Sequence, residues 1–334
     1  AGYYNLALLE LEEYQLKKAE DDILQSVEIR TRMQDSLLVA ESWKSLVLVY
    51  KAMGDLPRAQ KYLAWAEEIG HRYNNPETLM FCYVYEGELL YRQGRHVSAI
   101  KLYEKALDIL LAHPFKRFQA LTLLRLGESY GEMGDNKRSL DHLLKALKIF
   151  EELNEKHEQA LAYGNIGWIY IFDHNDSLAL SFAKKCLATA ESIGAIDMLG
   201  YAKNLMGYIS FSEKKYDEAL RYFDEALVYR EKTNNRLDIV ATRENIAWVY
   251  QEMGRYNEAL EYHMQTLKSD LEAGNEGELA KDYNGLGRLY TNLHNYTKAE
   301  EYLNLAYALS KKVKVAPQQA DNLRFRAELA LARG

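Results

Sequence analysis

The sequence is poor in the residues that interrupt helices and in those that crosslink chains. Only four prolines occur among its 334 residues, so long helices can run with few breaks. The two cysteines, Cys82 and Cys186, cannot form a disulfide framework. Both stand in largely apolar, helical stretches, so we expect buried and unreactive thiols. This use of cysteine fits a reducing compartment, and we expect a cytoplasmic protein.

Long hydrophobic runs and an excess of basic charge are also missing. No stretch of about 18 apolar residues is present, which argues against a membrane-spanning segment within this chain. Acidic residues (49) outnumber basic ones (42), and the net charge is -7. Binding to a phosphate backbone needs clustered Lys and Arg, so we expect no nucleic-acid partner. With 48% hydrophobic residues, the chain still has enough apolar material for a continuous core.

What the sequence does contain is a period of 40 residues, visible in three columns of mostly small side chains. The first column holds Ala7, Val47, Gly87, Gly127, Gly167, Gly207, Ala247 and Gly287. The second, twelve positions later, holds Ala19, Ala59, Ala99, Ser139, Ala179, Ala219, Ala259 and Ala299. The third, seven positions after the second, holds Ser26, Ala66, Ala106, Ala146, Cys186, Ala226, Thr266 and Ala306. Eight copies in one register indicate a repeat architecture.

The small columns indicate where two antiparallel helices, A and B, touch in each unit, because a missing side chain lets two backbones approach. Tyrosine recurs three residues after the first column, at Tyr50, Tyr130, Tyr170, Tyr250 and Tyr290, and we expect it to fill gaps between helices. A glycine at the A-to-B turn is expected in the left-handed conformation that ends a helix, at Gly54, Gly94, Gly134 and Gly254. Since no hairpin can bury its apolar face alone, neighbours must stack.

This pattern resembles the tetratricopeptide repeat (TPR), most closely in the stretches 216–220 and 254–260. The usual unit is shorter, at about 34 residues. The longer unit here is similar to those of spindle-orientation adaptors and bacterial peptide-sensing regulators. The resemblance implies an all-α fold, a right-handed superhelical α-solenoid of eight TPR-like hairpins. We assign residues 1–314 to one continuous solenoid and residues 315–334 to a C-terminal half-repeat that forms a capping helix. The chain starts partway into its first helix A, so we expect a piece of a larger protein.

The resemblance also implies that the A helices line a concave groove that binds peptides or proteins. One stripe of these helices is rich in aromatic, amide and charged side chains. The candidate binding residues are Tyr85, Glu88, Arg125, Glu128, Asn165, Trp168, Asn204, Tyr208, Phe211, Asn245, Trp248, Asn284 and Arg288. Asn can both donate to and accept from a peptide backbone, and Trp and Tyr are common anchors of binding hot spots. The alternative is that these rings and amides pack between adjacent A helices.

Signals for catalysis or metal binding are weak. The string Gly127-Glu128-Ser129-Tyr130-Gly131 matches a nucleophile elbow, but Gly127 and Tyr130 fall on repeat columns, which places Ser129 within a helix. No two of the eight histidines stand three or four residues apart, and no zinc-binding string occurs. We therefore predict neither an enzyme nor a bound metal or cofactor.

Two functional hypotheses remain open. The first is a non-enzymatic scaffold that binds a protein or peptide in the groove of the A helices. The second is the sensory or oligomerising region of a larger signalling protein, such as a transcription regulator, kinase or cyclase, whose output domain lies outside this chain. A homo-oligomer is compatible with both.

Overall fold

A computed structural model describes residues 16–112, 115–274, 276–313 and 316–334, with the backbone alone at residues 316 and 317. These residues form helices and no strand. The sixteen helices of the described ranges are α1 (Leu16–Arg32), α2 (Ser36–Ala52), α3 (Leu56–Arg72), α4 (Pro76–Arg92), α5 (His96–Ala112), α6 (Lys116–Glu132), α7 (Asn136–Leu153), α8 (Lys156–Phe172), α9 (Asp176–Ile193), α10 (Ile196–Ser212), α11 (Tyr216–Thr233), α12 (Arg236–Glu252), α13 (Tyr256–Ala273), α14 (Glu276–Asn292), α15 (Tyr296–Val313) and α16 (Ala316–Arg333).

The helices form two compact units, Ala1–Asp173 and His174–Gly334. The even-numbered helices α2 to α16 are the predicted A helices, and the odd-numbered helices α1 to α15 are the B helices. Within each unit, consecutive helices pack as antiparallel neighbours, so the predicted all-α hairpin architecture is confirmed. The predicted first A helix, with Ala7, lies outside the described residues.

The predicted period is confirmed, because successive A helices begin at Ser36, Pro76 and Lys116, and each B helix begins midway between two A helices. Each described helix has 17 or 18 residues. The unit is longer than the usual repeat because its helices have extra turns. Pro57 lies in the first turn of α3, and Pro76 is the first residue of α4. Proline is tolerated there because the first helical turn needs no backbone N–H donor.

The small columns lie where the helices touch. All eight residues of the second column from Ala19 to Ala299 are fully buried. On the A helices, a Cβ added to Gly87, Gly127, Gly207 or Gly287 would come within 2.6 Å of the facing Tyr103, Leu143, Phe223 or Leu303. The glycines therefore allow a large side chain of the B helix to pack against the backbone of the A helix.

Left-handed residues occur at both kinds of turn in the described repeats, whereas the sequence predicted them at the A-to-B turns. Gly54, Gly94, Gly134 and Gly254 are left-handed as predicted, with φ between 71° and 75°. The same conformation occurs at the other turns, also at residues with a side chain, such as His174 and Lys214. At the next position, Asp or Asn often caps the following helix, as Asp55 does by accepting from the backbone N–H of Arg58.

Candidate functional site

In the unit Ala1–Asp173, the predicted polar residues lie in ion pairs and hydrogen bonds within and between A helices. The buried carboxylate of Glu88 on α4 forms an ion pair with Lys51 Nζ of α2 at 2.7 Å. On α6, Arg125 pairs with Glu128 at 2.8 Å. The other oxygen of Glu128 accepts from Asn165 Nδ2 of α8 at 2.8 Å. Four predicted residues therefore belong to a polar ladder that runs from α2 to α8.

The charges of this ladder are held in place by burial and by one another. Burial works to raise the pKa of Glu88, but the nearby charges of Lys51 and Arg125 outweigh it and the net shift is downward. Burial likewise works against the charge of Arg125, and the carboxylate of Glu128 raises its pKa overall. Both groups are charged at neutral pH. The surface is therefore ionic, with its charges compensated within the ladder.

The aromatic candidates of this unit lie beside the ladder. Tyr85 packs against Phe81 with ring centroids 4.2 Å apart, and Lys51 Nζ lies 4.9 Å from the centre of its ring. Burial, followed by the charge of Glu88, raises the pKa of Tyr85 to about 12. Trp168 is half-buried and stacks on Phe172 at 6.2 Å.

In the unit His174–Gly334, the amide candidates form two hydrogen-bonded groups. Asn245 Nδ2 donates to Asn204 Oδ1 at 3.1 Å and its Oδ1 accepts from the hydroxyl of Tyr208 at 2.5 Å. Asn284 Nδ2 donates to the carbonyl of Gln318 at 2.9 Å, and its Oδ1 accepts from Asn322 at 2.8 Å. Each amide of Asn245 and Asn284 thus uses one donor and one acceptor in these bonds, of the four hydrogen bonds that an amide can make.

Beside these amides, Trp248 of α12 is 40% exposed. Its ring lies 4.4 Å from that of Phe211 on α10, centroid to centroid. Phe211 also contacts Tyr216 at the start of α11, at 5.7 Å. Phe211 and Trp248 therefore pack against each other, and the ring of Trp248 is partly open to solvent.

A cleft of about 650 Å³ opens along α12, α14 and α16 of this unit. Five predicted residues line it: Tyr208, Asn245, Trp248, Asn284 and Arg288. Asn204 and Phe211 contact two of these lining residues: Asn204 bonds to Asn245, and Phe211 packs against Trp248. The predicted capping helix α16 supplies one wall, with Gln318, Asp321, Arg324 and Phe325. The structure thus gathers the predicted residues of this unit around one cleft.

The sequence reasoning missed several polar residues of the cleft. Lys281 of α14 and Glu244 of α12 form an ion pair at 2.5 Å. His263, from the B helix α13, is buried beneath the cleft, and its ring lies 2.9 Å from Gln251 Nε2. Burial, followed by the charge of Lys281, lowers the pKa of His263 to about 4, so its imidazole is neutral. His263 lies on a B helix, outside the stripe of the A helices on which ligand contacts were predicted.

Below Lys281, two carboxyl groups are buried together. Asp282 of α14 accepts from Thr266 Oγ1 at 3.1 Å, and Asp270 of α13 accepts from Arg236 at 2.5 Å. The second oxygen of each has no donor among the described residues. Burial first, and then the charge of Asp270, raises the pKa of Asp282 to about 8. A proton on Asp282, shared with Asp270, satisfies both oxygens at neutral pH.

Several of these contacts join residues 37 positions apart. Such pairs are Lys51–Glu88, Glu128–Asn165, Tyr208–Asn245 and Glu244–Lys281. Each joins an A helix to the A helix of the next repeat, three residues short of a full period. The spacing of 37 is a signal that could have identified Glu244 and Lys281 from the sequence.

Other motifs fall within helices. Ser129 is buried in α6 and donates to the carbonyl of Arg125 at 2.8 Å, as the repeat register predicted. Both cysteines are buried, and burial raises the pKa of the Cys82 thiol to about 12. Across the described ranges, no cluster of His, Cys, Asp and Glu has the arrangement of a metal site. None of the described helices combines the length and apolarity needed to span a bilayer.

Two family models described as tetratricopeptide repeat match the chain, at residues 118–192 and 199–272 and at residues 283–313. Together they cover more than half of it. A curated relative, "Protein CTR9 homolog" of Arabidopsis thaliana, is 27% identical over 188 residues, 56% of this chain. The chain spans only 16% of the length of that relative.

Two solved structures are similar over nearly the whole chain. A Rap protein complexed with competence and sporulation factor matches with a TM-score of 0.68 and 18% identity, covering 99% of this chain and 98% of its own. The Rap conjugation gene regulator of plasmid pLS20, in complex with a Phr peptide, matches with a TM-score of 0.64 and 14% identity, covering 93% of this chain and 94% of its own. At these identities the likeness shows the fold.

Proposed function

Because the chain belongs to the tetratricopeptide repeat family, we propose that it is a non-enzymatic interaction scaffold that binds an extended peptide segment of a partner in the cleft of α12, α14 and α16. The observation that carries this proposal is the solvent-open ring of Trp248 beside the amides of Asn245 and Asn284 in one cleft. An exposed Trp beside amides offers both contact area and backbone hydrogen bonding.

The cleft suits an uncharged stretch of peptide. Its basic side chains are all in ion pairs: Lys281 with Glu244 and Arg324 with Asp321 within the lining, and Arg288 with Glu328 of α16 at 3.6 Å. We assign the remaining hydrogen-bonding capacity of Asn245 and Asn284, which are 7% and 3% exposed, to the backbone of the peptide, and the ring of Trp248 to one of its apolar side chains. The Phr peptide named for the Rap structure of plasmid pLS20 supports a peptide as the partner.

For the unit Ala1–Asp173, we propose a second, more polar contact surface. It comprises Tyr85, Glu88, Arg125, Glu128, Asn165 and Trp168. Since the charges of Glu88 and Arg125 are compensated within the ladder, a ligand there would have to exchange one ion pair for another. Trp168 is the residue of this set that we expect to contribute most to binding.

The test uses peptides selected from a random phage-displayed library on the wild-type protein, with dissociation constants measured by calorimetry. Trp168→Ala with Trp248→Ala should weaken binding at least about tenfold, because hot-spot truncation costs about 2 kcal/mol. The thermal midpoint should hardly change. Trp65→Ala is the matched control, since Trp65 of the B helix α3 is 38% exposed and lies outside the proposed site. Equal losses of midpoint and affinity would show that the rings are core residues and would reject the site.

A second candidate is the sensory or oligomerising region of a larger signalling protein. The 16% share of the curated relative's length favours it, because there the matching segment is a small part of a longer chain. An effector domain in the same open reading frame would support this candidate. A frame that encodes only these repeats would support a free-standing scaffold.

A further inference from the structure

The side chains that line the cleft of α12, α14 and α16 leave one exposed carboxylate uncompensated. The Lys and Arg residues of the lining are all paired with carboxylates, namely Lys281, Arg288 and Arg324. The buried carboxyl of Asp282 holds a proton. Glu252 of α12 also lines the cleft and is exposed, and among the described residues it has no ion-pair partner. The lining therefore carries an excess negative charge at Glu252.

The basic residue nearest to Glu252 along the chain is engaged elsewhere. Arg255 follows it by three positions, but the guanidinium of Arg255 bonds to Glu258 at 2.8 Å. The same group lies 4.7 Å from the centre of the Tyr250 ring. The last turn of α12 itself contains no basic residue. The charge of Glu252 is therefore available to a ligand in the cleft.

Glu252 is also unfavourable for the helix that carries it. It is the last residue of α12, and the backbone carbonyls give the C-terminal end of a helix a partial negative charge, which disfavours a carboxylate. The equivalent residue is Asn292 in α14, Ser212 in α10 and Arg92 in α4, so the repeat does not require an acid there. An acid that opposes its own helix and pairs with no neighbour indicates a role in binding.

Glu252 lies on the same stripe of α12 as two residues of the proposed site. Asn245, Trp248 and Glu252 stand at positions i, i+3 and i+7, and all three line the cleft. From Trp248 to Glu252 the helix rises about 6 Å. In an extended peptide, side chains two positions apart point to the same side and are separated by about 6.6 Å. A peptide with an apolar side chain on Trp248 therefore brings the side chain two positions away to Glu252.

We propose that Glu252 selects peptides in which a Lys or Arg stands two positions from the apolar residue that contacts Trp248. The ammonium or guanidinium group pairs with the carboxylate of Glu252 and lies in the negative field at the end of α12. The inference rests on the proposed function and deepens it, because it names the charge that follows the uncharged stretch of the peptide.

The probe is the tightest-binding peptide from a random phage-displayed library selected on the wild-type protein. It is synthesised with an acetylated N terminus, so that only a side chain can supply the positive charge. A second peptide has Gln in place of its basic residue. Calorimetry gives the dissociation constants for the wild type, Glu252→Gln and Glu252→Lys. Glu272→Gln is the matched control, since Glu272 is exposed in the last turn of α13 and is not part of the cleft lining.

We expect most selected peptides to carry Lys or Arg two positions from an apolar residue. Glu252→Gln should weaken binding of the basic peptide about two- to fivefold, because an exposed ion pair contributes little. Glu252→Lys should weaken it by at least about tenfold, because like charges then face each other. The Gln peptide should bind the wild type and both variants alike, and Glu272→Gln should change neither affinity.

The thermal midpoint separates a binding role from a structural one. Neither variant of Glu252 should lower the midpoint, since each removes an unfavourable charge from the end of α12. A lower midpoint for Glu252→Gln would show that Glu252 stabilises the fold and would overturn the inference.

Two binding results would also overturn it: selected peptides without the basic residue, or equal affinity of the basic peptide for the wild type and Glu252→Lys. Both would leave the proposed function standing, provided that Trp248→Ala still weakens binding. A library that yields no binder, or peptides that bind Trp248→Ala as tightly as the wild type, would reject the proposed function and this inference together.

Discussion

The hydroxyl of Tyr208 donates to Asn245 Oδ1 at 2.5 Å, joining two A helices across one repeat. Both residues line the cleft of the unit His174–Gly334. Burial is the main cause of the raised pKa of Tyr208, so the phenol stays protonated and keeps donating well above neutral pH. The bond orients the amide of Asn245, and so the residues proposed to contact a ligand also hold the repeats in register.

Tyr208→Phe removes this bond and leaves a buried acceptor on Asn245. We expect the free energy of unfolding to fall by about 1–2 kcal/mol. Urea denaturation followed by circular dichroism measures the change. Tyr307→Phe is the control, since Tyr307 is 42% exposed, and it should cost less than about 0.5 kcal/mol. Similar values for the two variants would mean that the Tyr208 bond contributes little.

Two glycines of α10 should respond to alanine with opposite signs. A Cβ at Gly207 would lie 2.6 Å from the ring of Phe223, and overpacking costs about 1–3 kcal/mol. A Cβ at Gly200 would lie 3.3 Å from Arg230 Cγ and from Tyr229 Cβ, a milder contact that a small shift relieves, so the helix preference for alanine, about 0.5–1 kcal/mol, should prevail. We expect Gly207→Ala to lower the thermal midpoint and Gly200→Ala to raise it. A midpoint raised by both would contradict the close contact at Phe223.

The turn at Gly254 requires a left-handed residue, with φ of 72°. Gly254→Ala should lower the free energy of unfolding by about 1 kcal/mol, because a Cβ is unfavourable in this conformation. At the equivalent turn, Lys214 has φ of 60° and already bears that cost. Lys214→Gly relieves it but adds flexibility to the unfolded chain, so its effect should stay below about 0.5 kcal/mol. Chemical denaturation of both variants tests the pair.

The buried carboxyl pair should make stability depend on pH. The pKa of Asp282 is raised from 3.8 to about 8, so the folded state holds a proton that the unfolded state has lost. Its contribution to stability is complete below pH 3.8 and is lost as the pH rises through about 8. His263, with its pKa lowered from 6.5 to about 4, acts in the opposite sense between those two values. Above pH 6.5, the effect of Asp282 on the free energy of unfolding is therefore no longer offset by that of His263.

Asp282→Asn keeps a donor towards Asp270 and removes the ionisation. Between pH 6.5 and pH 8, the wild type should lose stability relative to this variant by at most about 1.4 kcal/mol per pH unit. Urea denaturation at several pH values measures the slope. Asp217→Asn, on the exposed first turn of α11, is the control and should run parallel to the wild type. Parallel curves for Asp282→Asn would exclude the shared proton.

Much of the fold could be predicted from the sequence because close packing of helices requires small residues at fixed intervals. Ala59 and Gly207 recur in register because helices cross there, and a larger side chain would push the backbones apart. The turn glycines recur because a left-handed residue must end each helix. The left-handed turn residues were predicted only where glycine marks them, because at Asn74, His174 and Lys214 the same conformation falls on residues with a side chain.

The sequence by itself determined the helical hairpins, their period and the face on which candidate ligand contacts would lie. Only the tertiary structure decided that Asp270 and Asp282 are buried side by side, since they come from different helices and their spacing does not recur in the other repeats. It also decided that α16 forms a wall of the cleft. The physical reason is that packing between small residues is set locally by each hairpin. Hydrogen bonds and proton sharing depend instead on the detailed separation of side chains on different helices. The repeat pattern does not encode that separation.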